Sequence, residues 1–102
     1  MKVYALKLVS GDEIIGTCTT TPASAADFWV LTRVRQLLIS QVGGNNLGVT
    51  LMPWLASNQD SEVYIPAVHV ITTVVPAEHI EQNYQSQVSG LDLSASKIQL
   101  NG

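Results

Sequence analysis

Apolar residues recur in short runs over the first three quarters of the chain, and these runs are rich in residues that suit a pleated surface. Such runs are typical of β-strands. Turn-forming residues separate them: Ser10-Gly11-Asp12 ends the first run, and a Gly/Asn cluster at residues 43–46 supplies the positive φ angles of a hairpin turn. The predicted strands are residues 2–9, 13–20, 28–32, 36–42, 47–55 and 62–75.

Glycine and proline interrupt this strand pattern at three positions. Gly16 lies in the middle of a predicted strand, where a glycine marks a bulge, a sharp bend or a close backbone approach. Pro53 and Pro66 cannot donate a hydrogen bond to a neighbouring strand, so we expect their strands to be kinked or to lie at an edge. The pattern therefore predicts a bent sheet.

The periodicity changes after Pro76. Ile80, Tyr84 and Val88 lie four residues apart, which predicts one apolar face of a helix over residues 77–90. Gly90 is suited to cap the end of that helix. The last segment, residues 91–102, alternates only weakly, and we expect it to be ordered only in an assembly. The chain is thus predicted to be a single all-β domain over residues 1–76 with a short C-terminal helix.

Length and charge narrow the class of protein. The chain has 102 residues, of which 13 % are charged, and a formal net charge of −3. Phosphate neutralisation needs clustered Lys and Arg, and the chain has five of them in all, which disfavours a strongly electrostatic nucleic-acid binder. A small domain has a large surface for its volume, and that surface is usually rich in charged residues. The low charge of this chain therefore indicates that part of the surface is buried between subunits. An oligomer is therefore predicted.

Reactive side chains do not converge in the sequence. One cysteine, Cys18, excludes a disulfide scaffold and is more often a small buried hydrophobe than a nucleophile. His69 and His79 have no metal-ligand spacing with it, and Gly43-Gly44 lacks the lysine and helix of a phosphate loop. We predict no enzyme activity, metal or cofactor. Without a signal peptide or an apolar run near ~20 residues, the prediction is a cytoplasmic protein with no membrane partner.

Three segments have the motifs of a known family of small β proteins. Leu8-Val9-Ser10-Gly11 is followed by Gly16, and Asp27-Phe28-Trp29-Val30-Leu31 begins the third predicted strand. The first of these resembles the first two strands of the Sm/LSm family, most closely of its bacterial branch, Hfq, and the second is similar to the start of the family's third strand. Residues 68–76 resemble the second motif of Hfq, Lys-His-Ala-Ile-Ser/Thr-Thr followed by two aliphatic residues and Pro. With its extended arm at residues 47–55, the chain also looks like Sm-like proteins of tailed phages, including cyanophages.

This resemblance implies a small, strongly bent five-stranded antiparallel Sm-like (SH3-like) barrel with an extended hairpin and a short C-terminal helix. Family members close into rings, so it also implies self-association into a homo-oligomeric ring of roughly five to seven subunits. Residues 47–55 would pair with residues 68–75 of the next subunit, which removes both sheet edges. The interface candidates are Leu47, Val49, Leu51, Val70, Thr72 and Val74.

The resemblance further implies that the ring binds short single-stranded RNA, U- or A-rich, as a riboregulator or chaperone. Trp29 corresponds to the stacking aromatic of Hfq and would stack on a base. His69 corresponds to the pore histidine and would bond the base, whereas Val68 replaces the neighbouring lysine. The RNA-binding candidates are Trp29, His69, Asp27, Phe28, Arg33 and Arg35.

Each central candidate also has a structural interpretation. His69 can be a packed strand histidine bonded to backbone, Trp29 a core or interface residue, and Asp27 a cap of the turn before the third strand. The absent lysine and the net charge of −3 favour a second function, a structural or protein-interaction ring that keeps the Sm scaffold without binding RNA.

Overall fold

The computed structural model describes residues 2–89. These residues form six β-strands, one 3₁₀ turn and one α-helix. Buried and more accessible residues alternate over the first half of β1, whereas residues 5–6 of β1 and 14–16 of β2 are buried in succession, because both faces of the sheet are covered there. The elements are β1 (Lys2–Leu8), β2 (Glu13–Thr20), β3 (Phe28–Gly43), β4 (Asn46–Pro53), β5 (Val63–Pro66), the 3₁₀ turn (Ala67–His69), β6 (Val70–Val74) and α1 (Glu78–Val88).

All six strands belong to one antiparallel sheet with the order β4-β3-β2-β1-β6, and β5 also pairs with β3. The first and last strands are neighbours, with Ala5 opposite Val74. β4 and β5 pair with different halves of β3. In the described part of the chain the sheet is open: β6 lies at one end, and β4 and β5, which pair with the same edge of β3, lie at the other. The all-β class is confirmed, and the count is six strands instead of five.

Two differences from the predicted strands have local causes: one predicted strand is divided in two, and two predicted strands are joined into one. Residues 62–75, predicted as a single strand, are divided by the 3₁₀ turn that follows Pro66. The predicted strands at 28–32 and 36–42 are instead one strand, β3, because a bulge and not a turn lies between them. Ile15 and Thr17 of β2 face Arg35 and Thr32, so β3 has one extra residue here. Such a bulge bends a strand while keeping it in the sheet.

Gly16 lies on β2 opposite this bulge, where the two strands come into close contact. A Cβ atom at Gly16 would lie 3.2 Å from Cγ2 of Val34 and 3.3 Å from Cβ of Leu31. Both neighbours are buried in the core, at 1 % and 0 % exposure, and have little room to move. The close approach that the sequence predicts at Gly16 is therefore present in the structure.

Apolar side chains pack on both faces of the bent sheet. The inner cluster, on one face, consists of Leu6, Leu8, Ile14, Cys18, Leu31, Val34 and Ile65. On the other face, helix α1 packs Tyr84 against Val3, Ile15 and Leu51 in a second cluster, the helix cluster, with Ile80 and Val88 beside it. The predicted helix and its apolar face are confirmed. Gly90 and residues 91–102 lie outside the described residues.

Tyr84 is the residue that ties the helix to the sheet. Its side chain is fully buried, and its hydroxyl shares a 2.8 Å hydrogen bond with Oγ1 of Thr17. The same hydroxyl donates to the carbonyl of Thr32 at 3.3 Å. One turn further along α1, Gln87 donates from Nε2 to the carbonyl of Leu51 on β4 at 3.3 Å. The helix thus contacts three adjacent strands, which fixes its position over that end of the sheet.

Substitution of Gly16 by alanine tests the close contact between β2 and β3. The added methyl group meets two buried side chains and the carbonyl of Thr32 at 3.4 Å, so we expect a loss of about 1–3 kcal/mol in the free energy of unfolding. Urea denaturation followed by circular dichroism measures it. Val9→Ala, at a 60 % exposed position outside the strands, is the control and should change stability by less than about 0.5 kcal/mol. Unchanged stability of Gly16→Ala would contradict the contact.

Tyr84→Phe tests the buried hydroxyl. Removing it deletes two hydrogen bonds, and we expect a loss of about 1 kcal/mol at neutral pH. Burial raises the pKa of Tyr84 above its ordinary value of 10.0, so the unfolded chain ionises first and the wild type loses stability as the pH rises above that value. The difference between wild type and variant, measured by denaturation, should therefore shrink at alkaline pH. A constant difference would show that the hydroxyl is not buried in solution.

Candidate interaction surfaces

Trp29 belongs to the edge of the inner cluster. Its half-buried indole packs against that cluster and meets the ring of Tyr4 edge-on, with centroids 5.5 Å apart and planes at 72°. Across the sheet it pairs with Ile65, which is also buried. These are the contacts of a core residue, in agreement with the structural interpretation of Trp29.

Asp27 closes the loop between β2 and β3. Its carboxylate oxygen Oδ2 accepts a hydrogen bond from the backbone N–H of Ala23 at 2.9 Å. Its carbonyl accepts from the N–H of Ala67 at 2.9 Å, which joins the start of β3 to the 3₁₀ turn. Asp27 therefore has the turn-capping position that was the alternative to RNA contact.

Among the lysines and arginines of residues 2–89, Arg35 alone is buried, at 4 % exposure. Its Nη1 donates to the carbonyls of Val34 at 3.2 Å and Gln59 at 2.9 Å, and its Nη2 forms an ion pair with Asp60 at 3.1 Å. The guanidinium thus holds the loop between β4 and β5 and is not presented to a ligand, contrary to the expectation that it contacts RNA. Arg33, at the bulge with a φ of 55°, is exposed.

His69 is exposed at the end of the 3₁₀ turn, and its carbonyl accepts from the N–H of Val9 at 2.8 Å. A pocket of about 250 Å³ lies beside it, and Trp54, not Trp29, shares that pocket with His69. Trp54 is fixed by a hydrogen bond from Nε1 to Oδ2 of Asp12 at 3.2 Å. Sequence reasoning missed this neighbour because residue 54 lies just beyond β4, and only the turn back to β5 brings it there.

Phe28 and Tyr64 form an exposed aromatic pair on the outer face of β3 and β5. Phe28 is 45 % exposed and Tyr64 60 %, and their rings meet edge-on with centroids 6.4 Å apart. Tyr64 donates from Oη to Glu62 at 3.0 Å, and this hydrogen bond raises the pKa of Tyr64. We call Asp27, Phe28, Glu62 and Tyr64 the aromatic patch. A groove of about 410 Å³ runs past it and is lined by Thr20, Thr21, Ala23, Asp27, Phe28, Val30 and Tyr64.

The candidate interface residues of β4 divide into exposed and buried positions. Leu47 is 70 % exposed, Val49 is half-buried and Leu51 is only 5 % exposed. Leu51 packs beneath Tyr84, so its side chain belongs to the helix cluster and is not available to a second subunit. Its side chain thus has a role within the subunit, and an interface role for this position stays a prediction that concerns its backbone. Ile39, opposite Val49, continues the same apolar face at 69 % exposure.

The candidate residues of β6 lie on the opposite end strand. Val74 is 52 % exposed, Thr72 is exposed, and Val70 is half-buried against the inner cluster. An apolar groove of about 170 Å³ crosses the helix-bearing face of the sheet, from Val49 on β4 to Val74 and Val75 beside the start of α1. Soluble monomers rarely expose large continuous apolar patches, so this face is suited to covering by a partner.

Cys18 is buried in the inner cluster, and burial raises the pKa of its thiol. Its Sγ donates to the carbonyl of Thr20 at 3.3 Å. A thiol with a raised pKa is a weak nucleophile at neutral pH. Within residues 2–89, no group of three or more His, Cys, Asp or Glu side chains is arranged to hold a metal ion. In the same residues, no helix has both the length and the apolar character needed to cross a membrane.

Comparison with models of known protein families gives no match for this chain, and comparison with curated protein sequences gives no significant match either. The relationship to the Sm/LSm family therefore stays a prediction from the motifs. Function has to be argued from the edges of the sheet, the exposed apolar residues and the aromatic patch.

Arg35→Lys tests the structural role of this arginine. Lysine keeps the charge but cannot reproduce the fork that reaches two carbonyls and a carboxylate, so we expect a loss of about 1–3 kcal/mol in unfolding free energy. Asp60→Asn is the matched control, since Asp60 is 59 % exposed and its ion pair should contribute less than about 1 kcal/mol. Chemical denaturation of both variants measures the difference. Equal, small effects would argue against the buried network.

Proposed function

We propose that this chain is the subunit of a closed homo-oligomeric ring of Sm-like type, and that the ring acts through contacts with other proteins. The observation that carries the proposal is the pair of end strands, β4 and β6, at opposite ends of one sheet. These strands form most of the two segments, residues 47–55 and 68–75, that the resemblance pairs between neighbouring subunits. In such a ring, each bent sheet would correspond to one Sm-like barrel.

The composition of the end strands supports this pairing. An exposed strand edge is a template for association, and monomeric proteins protect it with lysines, other charges or bulges. Here β4 reads NLGVTLMP and β6 reads VITTV, so neither strand carries a charged residue. Both strands also have exposed apolar side chains, including Leu47 on β4 and Val74 on β6. Head-to-tail pairing of β4 with β6 of the next subunit joins two different surfaces, and such contacts close into a ring when the rotation permits.

The position of the charges supports a protein partner over RNA. Of the four lysines and arginines within residues 2–89, Arg35 is buried in its own network. Lys7 donates from Nζ to the carbonyl of Gly11 in its own turn. Each subunit has a formal net charge of −3, and a ring multiplies that charge and repels phosphate. RNA binding, the alternative implied by the resemblance, would rest on the exposed candidates His69, Phe28 and Arg33, because Trp29 packs in the core and Arg35 is buried.

Lysine substitutions in the end strands test the ring. Light scattering of the wild type at micromolar concentration should give one species with several times the subunit mass of 11.0 kDa. Val74→Lys and Leu47→Lys place a charge on exposed positions of β6 and β4, and each should shift the protein to monomers while the fold is kept.

Val9→Lys is the control, because Val9 is 60 % exposed but lies in the turn after β1 and not on an end strand. It should assemble like the wild type. A monomeric wild type, or an unchanged oligomer in both end-strand variants, would overturn the ring. Circular dichroism of each variant separates loss of assembly from loss of fold.

A further inference from the structure

We propose that the aromatic patch binds a cationic side chain, above all arginine, from a basic segment of a partner protein. This inference rests on the proposed function, because it names the partner chemistry of a ring that works through protein contacts. It uses Phe28, Tyr64, Asp27 and Glu62, a set that the resemblance does not join into one site.

The backbone register places the two rings on one face. Phe28 lies opposite Pro66 and Val30 lies opposite Tyr64, so Phe28 and Tyr64 are diagonal neighbours on the outer face of β3 and β5. Their edge-on contact at 77° sets the two ring planes at an angle, as two walls of a shallow corner. The hydrogen bond from Tyr64 to Glu62 also restrains the phenol before any ligand arrives. Restrained rings lose little side-chain entropy on binding.

The charges around these rings favour a cation. A ring face attracts a positive group through its quadrupole, and an arginine can also stack on it with its planar guanidinium. Asp27 lines the groove, and Glu62 is hydrogen-bonded to Tyr64. No lysine or arginine is among the described residues that line the groove, which otherwise offers the hydroxyls of Thr20 and Thr21. A phosphate would meet the carboxylate of Asp27 in the groove and lie near that of Glu62 beside Tyr64, so the patch favours a basic peptide over RNA.

Assembly would repeat this patch once in each subunit. A partner with several basic side chains could then engage more than one copy, which raises the apparent affinity without a new contact. The exposed positions of Phe28 and Tyr64 suit this use, because neither ring is needed to fill the inner or the helix cluster. Phe28 and Tyr64 lie on β3 and β5, so a substitution on β6 can prevent assembly of the oligomer while leaving the aromatic patch intact.

The experiment uses three fluorescent probes: a short peptide of alternating arginine and glycine, the same peptide with glutamate in place of arginine, and single-stranded oligo-U or oligo-A. Anisotropy titrations of the full chain at low salt should show binding of the arginine peptide alone, weakening as salt is added. Tyr64→Ala and Phe28→Ala should each weaken binding about 5- to 30-fold. Glu62→Gln should weaken it less and flatten the salt dependence.

Two further variants sharpen the comparison. Tyr64→Phe keeps the aromatic ring but loses the hydrogen bond to Glu62, so it should weaken binding less than Tyr64→Ala does. Val68→Ala changes a residue that is 62 % exposed outside the patch and should have no effect. RNA that binds and competes with the arginine peptide, equal binding of both peptides, or normal binding by Tyr64→Ala would overturn the proposal.

The outcome is separable from that of the ring. The monomeric variant Val74→Lys should still bind the arginine peptide, with the affinity of a single patch. If light scattering shows a monomeric wild type and Tyr64→Ala still loses binding, the ring is wrong and the patch is right. If the ring forms and the arginine peptide does not bind, the patch is wrong and the ring stands.

Discussion

The close contact of β2 with β3 at Gly16 is the constraint on which the rest of the structure depends. The bulge opposite Gly16 shifts the register of β3 against β2, and on the other edge of this long strand β4 pairs with one half and β5 with the other. Because the sheet bends here, one face encloses the inner cluster and the other receives α1. A Cβ atom at residue 16 would push β2 and β3 apart. The packing on both faces of the sheet therefore depends on glycine at this position.

Helix α1 determines which part of the apolar face of the sheet is covered within a single chain. It covers the end of β4 that holds Leu51, and its N-terminal turn leaves the other end of that strand uncovered. The apolar face of β4 therefore passes from a core position at Leu51 to a 70 % exposed one at Leu47. The packed and the exposed parts of this apolar face are thus continuous along one strand, and the extent of α1 sets the boundary between them.

Local features of the structure were predictable from the sequence, and features created by distant contacts were not. The turn at Gly11, the bend at Gly16 and the packed face around Tyr84 each follow from residue type and spacing. The continuity of β3 was missed because its bulge is formed at Arg33, a residue with no local signal for a φ of 55°. Arg35 was expected to contact a ligand, and its burial was missed because its partners, Gln59 and Asp60, lie 24 and 25 residues away in the sequence. The pairing of Phe28 with Tyr64 likewise depends on the register between β3 and β5.

The adjacency of β1 and β6 has a consequence for how the protein is made. Ala5 of β1 pairs with Val74 of β6, and Val3 of β1 packs against Tyr84 of α1. Strand β1 therefore completes its contacts only after β6 and α1 have been synthesised. Contacts of such long sequence separation form slowly, after local hairpins. On the ribosome, the hairpins of β1–β2 and β3–β4 can form as they emerge, but the domain closes only when α1 has left the exit tunnel. Until then the uncharged end strands are exposed to neighbouring nascent chains of the same kind.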